Sequence, residues 1–280
     1  MIVYRTKTEL ILHLEHLRAE GKSIGVVPTM GALHDGHISL VKKSTGENNV
    51  TVVTIFVNPT QFNDPSDLES YPRTPEKDLE LMRSHKVDVV FVPSVREMYP
   101  ETDTRTFDLG GLDVVMEGAH REGHFNGVAQ IVTKLFEAVR PHRAYFGQKD
   151  FQQLVIIRHL AKQLEMELEI VACPIIREKD GLAMSSRNAL LSRPDRQTAP
   201  FIYRTLLKAS KMKEKLSPAY LEAWVRGEFE KQSNMKLEYF EVVDDKMLKK
   251  IQEWSEDGDK VGCIAVLLGG VRLIDNVIFD

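Results

Sequence analysis

The first clear rhythm along the chain is helical. Leu10, Ile11, Leu14 and Leu17 share one face, opened by the capping-box pair Thr6 and Glu9 and stopped by Gly21. Short β-rich runs follow at Ile24 to Val27, Val50 to Val57, Val87 to Val92, Ala144 to Phe146 and Leu168 to Ala172. Most are continuously apolar rather than alternating, which predicts strands buried on both faces. Between them, Val128, Ile131, Val132, Leu135, Phe136 and Val139 form a single helical stripe. Another helix opens at Thr74 and Pro75, an N-cap followed by a first-turn proline. Strands alternating with helices over residues 1–175 predict an α/β fold with a doubly wound, Rossmann-like parallel sheet. Its ligand belongs beyond the carboxyl ends of the strands.

After residue 176 the pattern changes. An extended polar stretch leads into helices near Pro194 to Lys213 and Pro218 to Lys231. Strands at Leu237 to Val243, Val261 to Leu268 and Val271 to Phe279 follow, the last two flanking Gly269 and Gly270 as a hairpin turn. Residues 176–280 therefore read as a smaller C-terminal α+β lid domain.

Composition narrows the classes of function. A formal charge of −4, from 37 basic and 41 acidic residues, offers no broad basic field for a nucleic acid. No apolar run approaches the roughly 20 residues that span a bilayer, and the N-terminal MIVYRTKTEL lacks the core of a secretory signal, so a cytoplasmic protein is expected. Cys173 and Cys263 are isolated and read as buried thiols rather than a disulfide or zinc site.

Candidate chemistry clusters after the first of these strands. Gly21-Lys22-Ser23 imitates the end of a phosphate-binding loop, but it precedes a strand and lacks the upstream glycine, so it is set aside. The segment Pro28 to Leu40, PTMGALHDGHISL, lies where a phosphate site belongs. Gly31 and Gly36 permit close backbone approach, and a helix beginning near His37 would direct free amides at an anion. His34 and His37 stand at that entrance and could donate to phosphate oxygens. A surface pair or a metal pair would also fit H-x-x-H alone, but neither accounts for the glycines. Asn58 and Gln61 follow a strand in FVNPTQF, with amides suited to a ligand bearing hydroxyls and a carboxylate; Asn58 could equally brace a turn. Lys149, in GQKDFQQ, lies beside a helix start, while Asp150 and Gln153 also have capping-box spacing. Ser185, Ser186 and Arg187, in a polar loop, suit the outer phosphates of a nucleotide or, for the serines, a helix cap. His120 and His124 read as structural or surface residues.

His34-Asp35-Gly36-His37 resembles the H-x-G-H signature of the nucleotidyltransferase superfamily, and PTMGALHDGHISL resembles the pantothenate synthetase family more closely still. The resemblance runs from about residue 23 to residue 192, and returns at RLIDN, Arg272 to Asn276. It implies an AMP-forming ligase, a likeness extended by MSSR to the K-M-S-K-S loop of class I aminoacyl-tRNA synthetases. Pantoate would be activated by ATP as its adenylate and joined to β-alanine, with Mg²⁺ held mainly by the ATP phosphates rather than by a protein cage. His37, His34 and Lys149 would be catalytic. ATP would contact Met30, Gly31, His34, His37, Gly147, Gln148, Lys149, Asp150, Ile176, Met184, Ser185, Ser186 and Arg187. Pantoate and β-alanine would meet Gln61, Gln153, Asn58 and Phe62, and Asp78 would support the site. The resemblance also implies a homodimer, and Glu122 stands where the family pattern leads one to expect proline. Two rival readings stay open at this stage: another adenylyl-transferring enzyme, and a nucleotide sensor without turnover.

Overall fold

The computed structural model describes residues 1–279. Its larger sheet has six parallel strands: β1 (Ile2–Tyr4), β2 (Ile24–Thr29), β3 (Val50–Ile55), β4 (Val89–Phe91), β5 (Arg143–Gly147) and β6 (Glu169–Cys173). Their spatial order is β1-β4-β3-β2-β5-β6. The expected parallel sheet is present, with one strand more than the apolar pattern predicts. β1 is only three residues long and pairs at the edge with β4, from Ile2↔Val89 to Tyr4↔Phe91. So short a segment carries too few positions to show a period.

Burial follows position in the sheet. Every residue of β3 is buried, as continuous apolar runs require. β6 departs from that expectation: it is the other edge strand, with Glu169 exposed and Ile170 to Ala172 half-buried.

The helices of this part are α1 (Lys7–Ala19), α2 (Asp35–Glu47), α3 (Pro65–Ser70), α4 (Pro75–Ser84), α5 (Val95–Met98), α6 (Met116–His120), α7 (His124–Val139) and α8 (Phe151–Gln163). Thr6 caps α1 by accepting from the Glu9 N–H at 3.4 Å, as its sequence pattern predicts. Thr74 occupies the N-cap position of α4 without capping it; its hydroxyl donates instead to Asp78. All six residues of the predicted stripe on α7 are buried at 5% exposure or less. Burying side chains of that size stabilises the fold by roughly 1.5–3 kcal/mol each, so a charge at Val132 would undo this face.

The chain fills the sheet from β2 outward through β3 to β4, and then returns to the other side of β2 to place β5 and β6. The carboxyl ends of β2 and β5, Thr29 and Gly147, therefore flank a crevice at the switch in direction, the position at which open α/β sheets bind ligands.

The second part contains α9 (Arg193–Thr198), α10 (Phe201–Ser210) and α11 (Pro218–Glu230), then β7 (Met235–Asp244), β8 (Lys260–Leu268) and β9 (Val271–Phe279). The strands form an antiparallel sheet in the order β7-β8-β9. Gly269 and Gly270 have φ of +56° and +82°, a two-residue hairpin turn that side chains resist. β8 is covered on both faces. Ile264, Val266 and Leu268 pack with the apolar faces of α10 and α11, while Val261, Cys263 and Ala265 join the core of the larger sheet. That second contact brings β9 against the crevice.

Candidate active site

Two lobes of one cleft open at the carboxyl ends of β2 and β5, with volumes of about 450 and 210 Å³. Met30, Gln61, Lys149, Asp150, Gln153, Ser185 and Arg187 line both. The smaller lobe also takes in His34, His37, Asn58, Gly147, Ile176, Met184 and Ser186, over an apolar wall from Val128, Ile131, Val132 and Leu135 of α7. Phe62 lines the larger lobe. Of the residues singled out in the sequence, Gly31, Asp78 and Gln148 do not line either lobe.

The two histidines are built into the start of α2. Nδ1 of His34 accepts from the Gly36 N–H at 3.1 Å, and Nδ1 of His37 accepts from the His34 N–H at 3.4 Å. This is a reciprocal capping box made from two imidazoles. The Gly36 amide expected to face an anion is thus occupied by His34. A Cβ at Gly36 would lie 2.8 Å from the His34 ring, so only glycine leaves room for that ring.

Both rings are consequently neutral. Each accepts at Nδ1, which places its proton on Nε2, the edge of the ring away from the cap. Burial, together with Lys149, pushes His34 down to about 4; burial, with His34 and Lys149, pushes His37 to about 3. The pair offers two N–H donors rather than an imidazolium acid.

Asp78 fixes the loop that leads into this helix. It is 2% exposed, and its carboxylate accepts from the Ala32 N–H at 3.0 Å and the Leu33 N–H at 2.9 Å.

The amide pair after β3 divides its labour. Asn58 is buried; its Nδ2 donates to Gln61 Oε1 at 3.2 Å and to the Gly127 carbonyl at 3.0 Å. Its Oδ1 accepts from the Tyr99 and Thr60 hydroxyls. With its polar atoms satisfied inside the protein, Asn58 orients Gln61 and braces the turn. Gln61 Nε2 points to Met30 Sδ at 3.0 Å. Gln153, half-buried in both lobes, makes no side-chain hydrogen bond among the described residues.

Lys149 and Asp150 likewise keep their charged groups free of hydrogen bonds among the described residues. Asp150 stands at the N-cap of α8 without capping it, so the capping explanation of its spacing with Gln153 does not hold. In the serine loop the capping reading of Ser185 holds: its Oγ caps a short 3-10 turn, Ser186–Leu190, by accepting from the Arg187 N–H, while the residue also lines the cleft. Arg187 pairs with Asp67 at 3.0 Å, and Tyr71 reaches Ser186 at 3.2 Å. The Ile176 carbonyl accepts from the Met184 N–H at 3.0 Å.

The sequence reading missed a charged network lining the larger lobe. Arg272 of β9 grips Glu117 at 2.5 Å, Glu117 also holds Arg121 at 3.1 Å, and Arg121 donates to the Gln61 carbonyl at 3.4 Å. Burial pushes the Glu117 carboxyl up, but Arg272 and Arg121 outweigh it and hold it below the usual range. His124, expected to be structural, is buried and donates from Nδ1 to the same Gln61 carbonyl at 2.8 Å. The hints in the sequence were the family resemblance over Gly118 to Val128, which holds Arg121 and His124, and RLIDN, which holds Arg272. Among the described residues, no group of three or more His, Cys, Asp or Glu could hold a metal ion, and no helix is long and apolar enough to cross a membrane.

Known proteins resemble the chain over its full length. The family model described as pantoate-beta-alanine ligase matches residues 2–278. A pantothenate synthetase from Bacteroides fragilis is 54% identical over 277 residues, 99% of this chain and 98% of its own. One from Porphyromonas gingivalis is 51% identical over the whole of both chains. Among solved structures, a pantothenate synthetase from Thermus thermophilus superposes with a TM-score of 0.92 at 38% identity, covering 99% of each chain. A pantoate-beta-alanine ligase from Francisella tularensis, complexed with β-γ ATP and β-alanine, gives 0.82 at 35% identity, covering 100% of this chain and 98% of its own.

Proposed function

The chain belongs to the pantoate-beta-alanine ligase family, and from that premise we propose how its cleft performs the reaction. The enzyme condenses pantoate with β-alanine using ATP. A carboxylate and an amine do not condense readily in water, so one carboxylate oxygen must first become part of a good leaving group. In the proposed course a pantoate carboxylate oxygen attacks the α-phosphorus of ATP; the new O–P bond forms as the bond to pyrophosphate breaks. The β-alanine amine then attacks the acyl carbon of the pantoyl adenylate, loses a proton, and displaces AMP.

The observation that carries this reading is the pair of neutral imidazoles locked by their own helix cap, in the same lobe of the cleft as Lys149. Their Nε2–H groups suit the charge that builds on a pentacovalent phosphorus, and a rigid cap means little reorganisation as it builds. Lys149, Ser185, Ser186 and Arg187 would hold the outer phosphates, and Met30, Gly147, Ile176 and Met184 would border the nucleoside. Gln61 and Gln153 would grip pantoate from opposite sides, with Phe62 as an apolar wall. Mg²⁺, which would offset phosphate charge, suits this cleft only as a passenger on the nucleotide, with Asp150 as the nearby free carboxylate.

Incubation with ATP, Mg²⁺, pantoate and β-alanine should yield pantothenate and AMP, and pantoate alone should drive exchange of labelled pyrophosphate into ATP. Product formation without that exchange would point away from an adenylate. His37→Ala should abolish exchange in a protein that stays folded; full activity would remove His37 from the mechanism. The family resemblance also supports a cytoplasmic homodimer with residues 176–280 as a lid, and sedimentation velocity tests the dimer.

A further inference from the structure

β9 carries two adjacent polar residues that its place in the fold does not require. Asp275 and Asn276 are each 4% exposed, in a strand otherwise built from Val271, Leu273, Ile274, Val277, Ile278 and Phe279 with Arg272. Buried polar groups are costly unless every partner is supplied, and here the partners all lie in the cleft's own segments.

The Asn276 amide donates one N–H to the Gln148 carbonyl at 2.8 Å and the other to the Lys149 carbonyl at 3.1 Å. Two successive carbonyls held by a single NH₂ group fix the plane of the turn after β5. Lys149 has no side-chain hydrogen bond of its own among the described residues, so the backbone held by Asn276 is what sets the point from which its side chain reaches into the cleft. Asp275 accepts from Arg177 Nη1 at 2.6 Å and Nη2 at 3.0 Å. Arg177 in turn donates to the Gly181 carbonyl at 3.2 Å and lies over the Tyr203 ring at 3.7 Å, bracing the strip that pairs Arg177 with Ala183, just before Ser185. The Asn276 N–H donates to Asp275 Oδ1 at 2.8 Å, which ties the two clamps together.

We propose that Asp275 and Asn276 are positioning residues for the nucleotide: one holds the serine–arginine loop, the other the Lys149 turn, so that β9 sets the spacing between the two phosphate-binding arms. This rests on the reading that Lys149 and the Ser185 to Arg187 loop bind ATP phosphates.

The test measures MgATP affinity by calorimetry, and the KM values for ATP and pantoate in pyrophosphate exchange, for the full-length N276A, K149A and N276A/K149A enzymes. Losing two hydrogen bonds to the turn should weaken ATP about tenfold in N276A. The pantoate KM should stay within about twofold, and N276A should add nothing once Lys149 is gone. Parental ATP affinity in N276A, a parallel rise in both KM values, or full additivity with K149A would each overturn the proposal and leave Asn276 a structural residue. ATP affinity unchanged in K149A would instead overturn the underlying reading of Lys149. Should N276A not fold, D275N makes the same decision through the loop: a selective rise in ATP KM supports the proposal, and an unchanged ratio of the two KM values rejects it.

Discussion

The rings of His34 and His37 lie with centroids 4.1 Å apart, tilted by 41°. Two imidazoles this close do not both take a proton readily, and burial and Lys149 act in the same direction. Both folded values, about 4 and about 3, fall below the ordinary 6.5. The unfolded chain therefore binds protons that the folded one refuses. The histidines' contribution to stability is complete above pH 6.5 and is lost as pH falls toward those folded values. Melting temperature should drop across that window, and both imidazole carbon resonances should still report neutral rings at a pH of about 5.5. A titration midpoint near the ordinary value for either ring would contradict the lowered proton affinity of the pair.

Gly127 lets α7 touch the turn that carries Gln61. A Cβ there would sit 2.5 Å from the Thr60 carbonyl carbon and 2.7 Å from the Gln61 nitrogen, both backbone atoms with nowhere to retreat. Gly127→Ala should raise the pantoate KM by about tenfold or more through displacement of Gln61, with a smaller change for ATP. Steady-state kinetics with each substrate varied in turn would show it, and equal changes for both would argue against Gln61 as a pantoate contact.

Asp78 holds the two amides that precede His34. Hydrogen bonds to a charged acceptor contribute about 1.5–3 kcal/mol each, so Asp78→Ala should cost about 3 kcal/mol or more in urea unfolding and slow exchange as the loop loosens. Asp78→Asn, which keeps one acceptor, should recover part of both. A variant with parental stability would show that the loop holds itself.

Asp67 pairs with the guanidinium of Arg187, the group proposed to meet the outer phosphates. The pair is 24% and 35% exposed, a setting in which ion pairs contribute about 0.2–1 kcal/mol. Asp67→Asn should therefore lower the ATP KM by about two- to fivefold by freeing Arg187. A higher KM would make Asp67 a contributor to binding instead.

The parts of the site that lie within one continuous stretch were legible in the sequence. His34, Gly36 and His37 announce a helix start after a strand, and Gly147 to Asp150 announce another; the fold brings both to the crevice at β2 and β5. What stayed hidden depends on partners distant in sequence. Asn58 carries the same amide as Gln61, and only its contacts with Tyr99 and Gly127 mark it as the brace and Gln61 as the residue it orients. Glu117 and Arg121 look like surface charges until Arg272 arrives from another sheet. β1 was too short to show a period, and the exposure of β6 follows from its edge position rather than from its composition.

The brace between β9 and the Lys149 turn spans 127 positions of sequence, and that between Arg272 and Glu117 spans 155. A chain emerging stepwise from the ribosome presents its two histidines early and the strand that steadies their partners late. On the proposed reading, the nucleotide site reaches its full affinity only once β9 has been made and has docked against the Lys149 turn.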